Sequence, residues 1–195
     1  DWKNGRVNYD QNFERPVPGM DFNHLAFSDM AVKADSFYFC DSRIDVKIQE
    51  AKLKEKSGLK ISQLYGRFVM DSVKMQLPDL YLRTPVSNLQ ASVDFDMNAF
   101  AEKNPGKIMA RVNGALGRSD LFLFIGDALP KQMKSRWPYY PMKVEGSFKG
   151  NMQRASFSGV KLSLPTVFQL STDGTVANLM DMDHLKANVD LQVRT

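Results

Sequence analysis

The side chains that carry most enzyme chemistry are few in this chain and widely spaced. Histidine occurs twice, at His24 and His184, and cysteine once, at Cys40. A zinc site draws on Cys, His and carboxylates at close spacing, and neither histidine has such a neighbourhood in sequence. Both are read as surface or turn residues. No G-x-S-x-G nucleophile elbow occurs, and neither a P-loop nor a dinucleotide fingerprint is present. Carboxylate pairs suited to glycoside hydrolysis can be drawn from any chain with 22 acidic residues, so their presence carries no information. A lone cysteine makes no internal disulfide, and Cys40 is read as a small apolar residue buried on a strand. The expectation is a protein without catalytic residues, metal or cofactor.

Two groups of residues point instead to apolar or interfacial contacts. The 11 methionines include Met30, Met70, Met75, Met97, Met109, Met142, Met152, Met180 and Met182 in or near expected strands. Methionine is flexible and polarizable, and suits either a plastic core or a surface that adapts to varied apolar partners. The basic run Lys131-Gln132-Met133-Lys134-Ser135-Arg136-Trp137 reads as a solvated helix face with Trp137 in the core. Its other reading is contact with anionic lipid headgroups, with Trp137, Tyr139 and Tyr140 at the interface. The net charge of +4 is spread among alternating acidic and basic residues, which does not mark a nucleic-acid binder.

The elements that position these residues follow a period of two. Apolar and polar residues alternate in Ile44-Asp45-Val46-Lys47-Ile48, Val73-Lys74-Met75-Gln76-Leu77, Val160-Lys161-Leu162-Ser163-Leu164 and Val189-Asp190-Leu191-Gln192-Val193. Successive side chains of a strand point to opposite faces, so each segment has one apolar and one polar face. That pattern predicts antiparallel pairing, because parallel sheets are covered on both faces. Turn signals at 56–58, 85–88, 104–106, 149–151 and 172–174 delimit about ten to twelve strands, often about ten residues long where five or six are typical. Arg6 to Tyr9 and Asp29 to Phe39 are read as strands joined by the turn-rich Arg15-Pro16-Val17-Pro18-Gly19.

A short internal repeat relates Val73–Thr84 to Val160–Thr172: a strand, a proline that interrupts the ladder, and a second strand ending in Thr. The proline is expected to mark a bulge or corner where the apolar face changes phase. Residues 44–97 and 140–195 are the corresponding β units, joined by a partly helical segment over 98–139. Within that segment Leu121, Ile125, Leu129, Met133 and Trp137 recur every four residues, with Ser119-Asp120 as a cap and Pro130 imposing a kink or two short helices. A further helical turn is expected from Asn98 to Lys103. No segment approaches the roughly 18 consecutive apolar residues of a membrane span. The opening Asp1-Trp2-Lys3-Asn4-Gly5 reads as the interior of a longer protein.

Three stretches resemble the TamB and AsmA-like envelope proteins. Asp21-Phe22-Asn23-His24-Leu25 and the alternation that follows to Phe37 resemble the "DFNHL-x-L-x-D" stretch of TamB-like proteins from Bacteroides-type bacteria. Glu55-Lys56-Ser57-Gly58-Leu59, Leu64-Tyr65-Gly66-Arg67-Phe68 and Leu77-Pro78-Asp79-Leu80-Tyr81-Leu82-Arg83-Thr84-Pro85 resemble their "EKSGL … L-x-G-x-(F/V) … LP-x-L-x-L-x-T" run. Asp173-Gly174-Thr175-Val176-Ala177-Asn178-Leu179 is similar to a turn between AsmA-like repeats. The helical stretch from Ser119 to Trp137 departs from a pure strand repeat. The resemblance implies an inner-membrane anchor in the full-length protein, a periplasmic location and a long sheet curled into an apolar groove. It also implies phospholipid traffic between the membranes, in support of outer-membrane assembly with a barrel partner.

The expected fold is therefore mostly β, with long antiparallel amphipathic strands in a curled, groove-like or sandwich-like sheet and a helical insertion near 119–136. Ile44, Val46, Ile48, Val73, Met75, Leu77, Val160, Leu162, Leu164, Val189, Leu191 and Val193 are the residues expected to line a groove for phospholipid acyl chains. Two alternatives stay open: a scaffold that pairs with another β protein by its edge strands, and a carbohydrate-binding or enzymatic β sandwich. The last would gather exposed aromatics and carboxylates in one cleft.

Overall fold

Alternation of apolar and polar residues gives each strand one face to hide and one to wet, and antiparallel neighbours in register merge those faces into one surface. Eleven strands do this here in chain order. The computed structural model describes residues 1–10, 13, 15–21, 23–99, 101, 103–126, 129–179 and 182–195. The strands are β1 (Trp2–Asp10), β2 (His24–Cys40), β3 (Arg43–Glu55), β4 (Lys60–Met70), β5 (Lys74–Arg83), β6 (Asn88–Asp96), β7 (Ile108–Leu116), β8 (Met142–Gly150), β9 (Arg154–Leu164), β10 (Phe168–Ala177) and β11 (Lys186–Arg194). Each pairs antiparallel with its sequence neighbour in one sheet that is not closed into a barrel. Two short helices, α1 (Arg118–Ile125) and α2 (Lys131–Arg136), stand between β7 and β8. The segment expected to join two β units thus contains a whole strand, β7, as well as the helices.

The described residues form no second sheet and little closed core. Among the described residues only Ala51, Ile61, Ala99, Leu121, Met142, Ala155 and Leu164 are buried hydrophobics. A β sandwich buries alternate residues of every strand against a facing sheet; the single open sheet found instead is consistent with the curled, groove-like form of the expectation.

Bulges keep the faces consistent. The register slips between Leu77 and Leu80 in β5, where Pro78 and Asp79 form a bulge. The apolar residues change phase there, from Met75 and Leu77 to Leu80 and Leu82. Opposite the bulge sits Gly66, with φ +148; a β-carbon there would lie 2.4 Å from the Asp79 carbonyl oxygen. Only glycine gives the two backbones room. The repeat holds only in part. Pro78 lies within a strand, whereas Pro165 lies in the turn between β9 and β10. The phase change in β9 falls earlier, at Ser158-Gly159, where Phe157 faces Gly174 and Val160 faces Thr172. The expected turn at 172–174 is instead strand: Asp173 lies in β10 and accepts the Gly159 N–H at 2.7 Å.

The two short helices expected around Pro130 are present: α1 ends at Ile125, and Pro130 is the N-cap of α2. The apolar stripe is split between them and only partly buried. Leu121 is buried, while Ile125 and Met133 are exposed. Ser119 is not the cap; α1 starts after Gly117 without a side-chain cap. The helical turn expected at 98–103 is, in its described part, a pair of hydrogen-bonded turns, Ala99 to Asp96 and Ala101 to Asn98; Phe100 and Glu102 lie outside the described residues. Met180, Phe22 of the resembling stretch and the Met182 side chain also lie outside them.

Candidate functional site: a continuous apolar sheet face

Directly paired residues of an antiparallel sheet project to the same side, so the register itself traces each face. One transverse row runs Trp2, Val32, Ala51, Leu64, Leu82, Leu89, Gly114, Val144, Leu162, Leu170 and Val193, one residue from every strand. A second row runs Phe39, Ile44, Met70, Met75, Phe95, Ile108, Gly150, Ala155, Val176 and Ala187 from β2 to β11. Neither contains a polar side chain. Between them Leu77, Val93, Ala110, Phe148 and Phe157 continue the same surface.

The opposite face is polar. Its corresponding row is Tyr65, Tyr81, Gln90, Asn113, Glu145, Lys161, Ser171 and Gln192. Ion pairs tie this face across strands. Arg67 Nη2 meets Asp45 at 2.6 Å, Lys74 meets Asp94 at 2.9 Å and Lys54 meets Asp29 at 2.6 Å. The Arg67 guanidinium holds the Asp45 carboxyl below its ordinary range, and the Lys74 ammonium does the same for Asp94.

One end of the apolar face is closed. Leu121 of α1 forms a buried cluster with Met142 and Leu164, and Leu116, Phe122, Trp137, Val144, Leu162 and Phe168 pack around it. The strand residues of this cluster all lie on the apolar face, so the helices sit over it. The β1–β2 loop meets them there: the Met20 N–H donates to the Leu123 carbonyl at 2.9 Å. On a flat sheet β2 and β7 would stand about 24 Å apart at about 4.8 Å per step. Contact between the β1–β2 loop and the β7–β8 insertion therefore fits a sheet curled toward its apolar side at this end.

Buried polar groups gather at the same end and are all partnered; no described buried side-chain N or O lacks a hydrogen bond. Asp21 accepts the Val17 N–H at 3.0 Å and contacts His24 Nδ1 at 2.9 Å. The Val17 N–H first, and His24 with it, lowers the pKa of Asp21. His24 is thus buried, against the expectation of a surface residue. The Asp21-x-x-His24 spacing was the available signal. For Glu55, burial pushes the pKa up, but hydrogen bonds from the Ser57 side chain and from the Ser57 and Ala26 N–H groups outweigh it and leave it lowered.

Eleven of the twelve expected groove residues lie on the apolar face, but they are not equivalent. Ile44, Val46, Ile48, Met75, Leu77 and Val160 are half-buried on the open sheet. Leu162 is half-buried beside the helical cluster, and Leu164, 1 % exposed, is sealed inside it. Val189, Leu191 and Val193 lie on the exposed edge strand β11. Val73 is off the face: it sits in the β4–β5 turn, 68 % exposed, where Asp71 accepts the Val73 and Lys74 N–H groups. Of the methionines, Met70, Met75 and Met142 share the apolar face, and Met109 falls on the polar one. Cys40 is exposed at the tip of the β2–β3 hairpin, against the expectation of burial, because Asp41 with φ 52 makes the turn there.

A hollow of about 620 Å³ lies on the other side. It crosses β4 to β9 along the bulges, and its side chains belong mainly to the polar face. Tyr65 and Tyr81 stack in it at 4.6 Å, with Asp79 and Glu145 in the same lining. This gathering of aromatics and acids was not expected from alternation along single strands. It arises from cross-strand pairing of Tyr65 with Tyr81. Both acids are engaged, Asp79 by the Arg67 N–H at 3.1 Å and Glu145 by Lys161 at 3.8 Å. Among the described residues no group of three or more His, Cys, Asp or Glu side chains is arranged to hold a metal.

No protein-family model matches the chain, and neither a curated protein nor a solved structure matches it. The functional reading rests on the residues and their geometry.

Proposed function

We propose that the apolar face is a groove for lipid acyl chains and that this chain is a segment of a non-enzymatic conduit for phospholipid. The observation that carries the reading is the transverse row from Trp2 to Val193, apolar or glycine in all eleven strands of a single-layered sheet. The helical cluster covers the row at Val144 and Leu162; over the other strands the apolar surface is uncovered, which is costly in water and marks a surface that is covered by something else. Each acyl methylene buried on it contributes about 0.8 kcal/mol without any directional contact. A chain can therefore be held and still slide. The resemblance to TamB and AsmA-like proteins supports the same reading and adds the setting: a periplasmic segment of an inner-membrane-anchored protein that serves outer-membrane assembly.

A second reading is favoured by the edges. Every residue of β11 is exposed, and its outer backbone edge has no neighbour within the sheet. Such an edge accepts a further strand, whether from the chain's own continuation, an outer-membrane barrel or another envelope protein.

Native mass spectrometry of the purified chain, followed by solvent extraction and lipid analysis, tests the first reading. Phospholipid is expected in the wild type and lost in Met75→Asp, a position remote from the helical cluster. A lipid-free protein that also takes up no fluorescent phospholipid would leave the edge-strand scaffold as the function.

A further inference from the structure

We propose that the helical end of the sheet, formed by α2, residues 137–140 and the β9–β10 turn, is a docking surface for an anionic lipid bilayer. The proposal does not rest on the groove reading, because it concerns the outside of the insertion rather than the apolar face beneath it.

Charge is the first support. On the sheet, Lys54, Lys74 and Arg67 are neutralised by cross-strand carboxylates. On α2, Lys131, Lys134 and Arg136 crowd into six residues, and no described carboxylate lies within ion-pair distance of them. Clustered cations of this kind gain most from a surface of anionic headgroups.

Exposed apolar residues on the same surface are the second support. Met133 is 48 % and Tyr139 88 % exposed, and Val167 of the neighbouring turn is also exposed. Met133, Trp137, Pro138 and Val167 line a shallow cleft of about 290 Å³ between α2 and that turn. Tyr139 is nevertheless held in place: the Arg118 guanidinium stacks 4.7 Å from its ring centre and donates to the Lys134 carbonyl at 2.9 Å. Tyr140 is pinned to the turn by its hydroxyl, which donates to the Pro165 carbonyl at 2.5 Å. A fixed aromatic ring standing in solvent among cations matches what the headgroup region accepts: ring at the interface, cation on phosphate.

Flotation of the whole chain with vesicles tests the proposal. Binding is expected to phosphatidylcholine vesicles that contain phosphatidylglycerol, to be weak on phosphatidylcholine alone, and to fall with added salt. The triple variant K131Q/K134Q/R136Q should lose affinity on the order of a hundredfold. M133S/Y139S should weaken binding while leaving its salt dependence, and both sets of side chains are surface groups whose loss a circular dichroism spectrum can show to leave the sheet intact. Met75→Asp should float as well as the wild type, which separates docking from groove occupancy. Failure of the wild type to float, equal binding to neutral vesicles, or full binding by the triple variant would overturn the proposal. So would self-association without vesicles that disappears in the triple variant, since the surface would then bind a second copy of the chain.

Discussion

Ser87, in the turn between β5 and β6, donates its hydroxyl to the buried carboxylate of Asp120 on α1 at 2.5 Å. The Thr84 hydroxyl donates to the same oxygen, and Ser87 Oγ in turn accepts the Gly117 N–H at 2.9 Å. This small network is the polar fastening between the helical insertion and the sheet, beside the apolar contacts of Leu121. Hydrogen bonds to a charged group are worth about 1.5–3 kcal/mol each when buried. Asp120→Ala is therefore expected to destabilise the chain by about 3 kcal/mol, seen as a lower urea midpoint. Faster amide exchange in α1 than in the strands of the wild type should accompany it; an unchanged midpoint would mean the insertion is held by its apolar contacts alone.

Aspartate placed along the expected groove residues should have graded effects on folding. Val73→Asp, in an exposed turn, is expected to change stability by no more than about 0.5 kcal/mol. Leu164→Asp puts a charge into the sealed cluster under the helices and should cost about 4 kcal/mol or more. Met75→Asp, on the open part of the face, should fall between the two and leave a folded protein. Thermal melts of the three variants check the order. A Met75→Asp chain as unstable as Leu164→Asp would show the face to be a closed core.

The strands were legible because alternation is a local property: Ile44, Val46 and Ile48 announce a face on their own. The extent of that face was not, since it depends on which residues pair. Nothing near Leu162 in sequence says that Val144, Leu170 and Val193 stand in its row. Bulges were legible only where a proline marked them, as at Pro78, and hidden at Ser158-Gly159, where the phase shift needs β10 to be seen. Val73 was misassigned because it continues the alternation of Met75 and Leu77 across the point where Asp71 turns the chain. The buried pair of Asp21 and His24 was missed because neither residue is apolar, and their burial comes from the β1–β2 loop packing toward α1.

Gly66 offers a test of the bulge itself. A β-carbon at this φ of +148 would press on the Asp79 carbonyl oxygen, so the strand must bend away or lose its register. Gly66→Ala is expected to cost about 2 kcal/mol. Chemical denaturation measures the loss, and amide exchange should show it centred on the pairing of β4 with β5. A neutral Gly66→Ala would mean the two strands separate there without penalty.

Acid should destabilise the polar face in a defined window. Asp45 is lowered by its hydrogen bond from Arg67, Asp29 by that from Lys54, Asp94 by that from Lys74, and Asp71 by the N–H groups of Val73 and Lys74. A carboxyl whose pKa is depressed by folding contributes stability that is complete above its unfolded value, about 3.9 for Asp, and is lost as pH falls through its folded value. Lys74 and Arg67, raised by the same partners, contribute fully below their unfolded values and lose that contribution only in strong alkali. As far as these groups decide it, the urea midpoint should be level between pH 7 and about pH 5 and fall below about pH 4. Asp45→Asn should be less stable than the wild type at neutral pH and fall less steeply in acid, so the two curves converge toward low pH. Parallel curves would mean that the Asp45–Arg67 contact contributes nothing to folding.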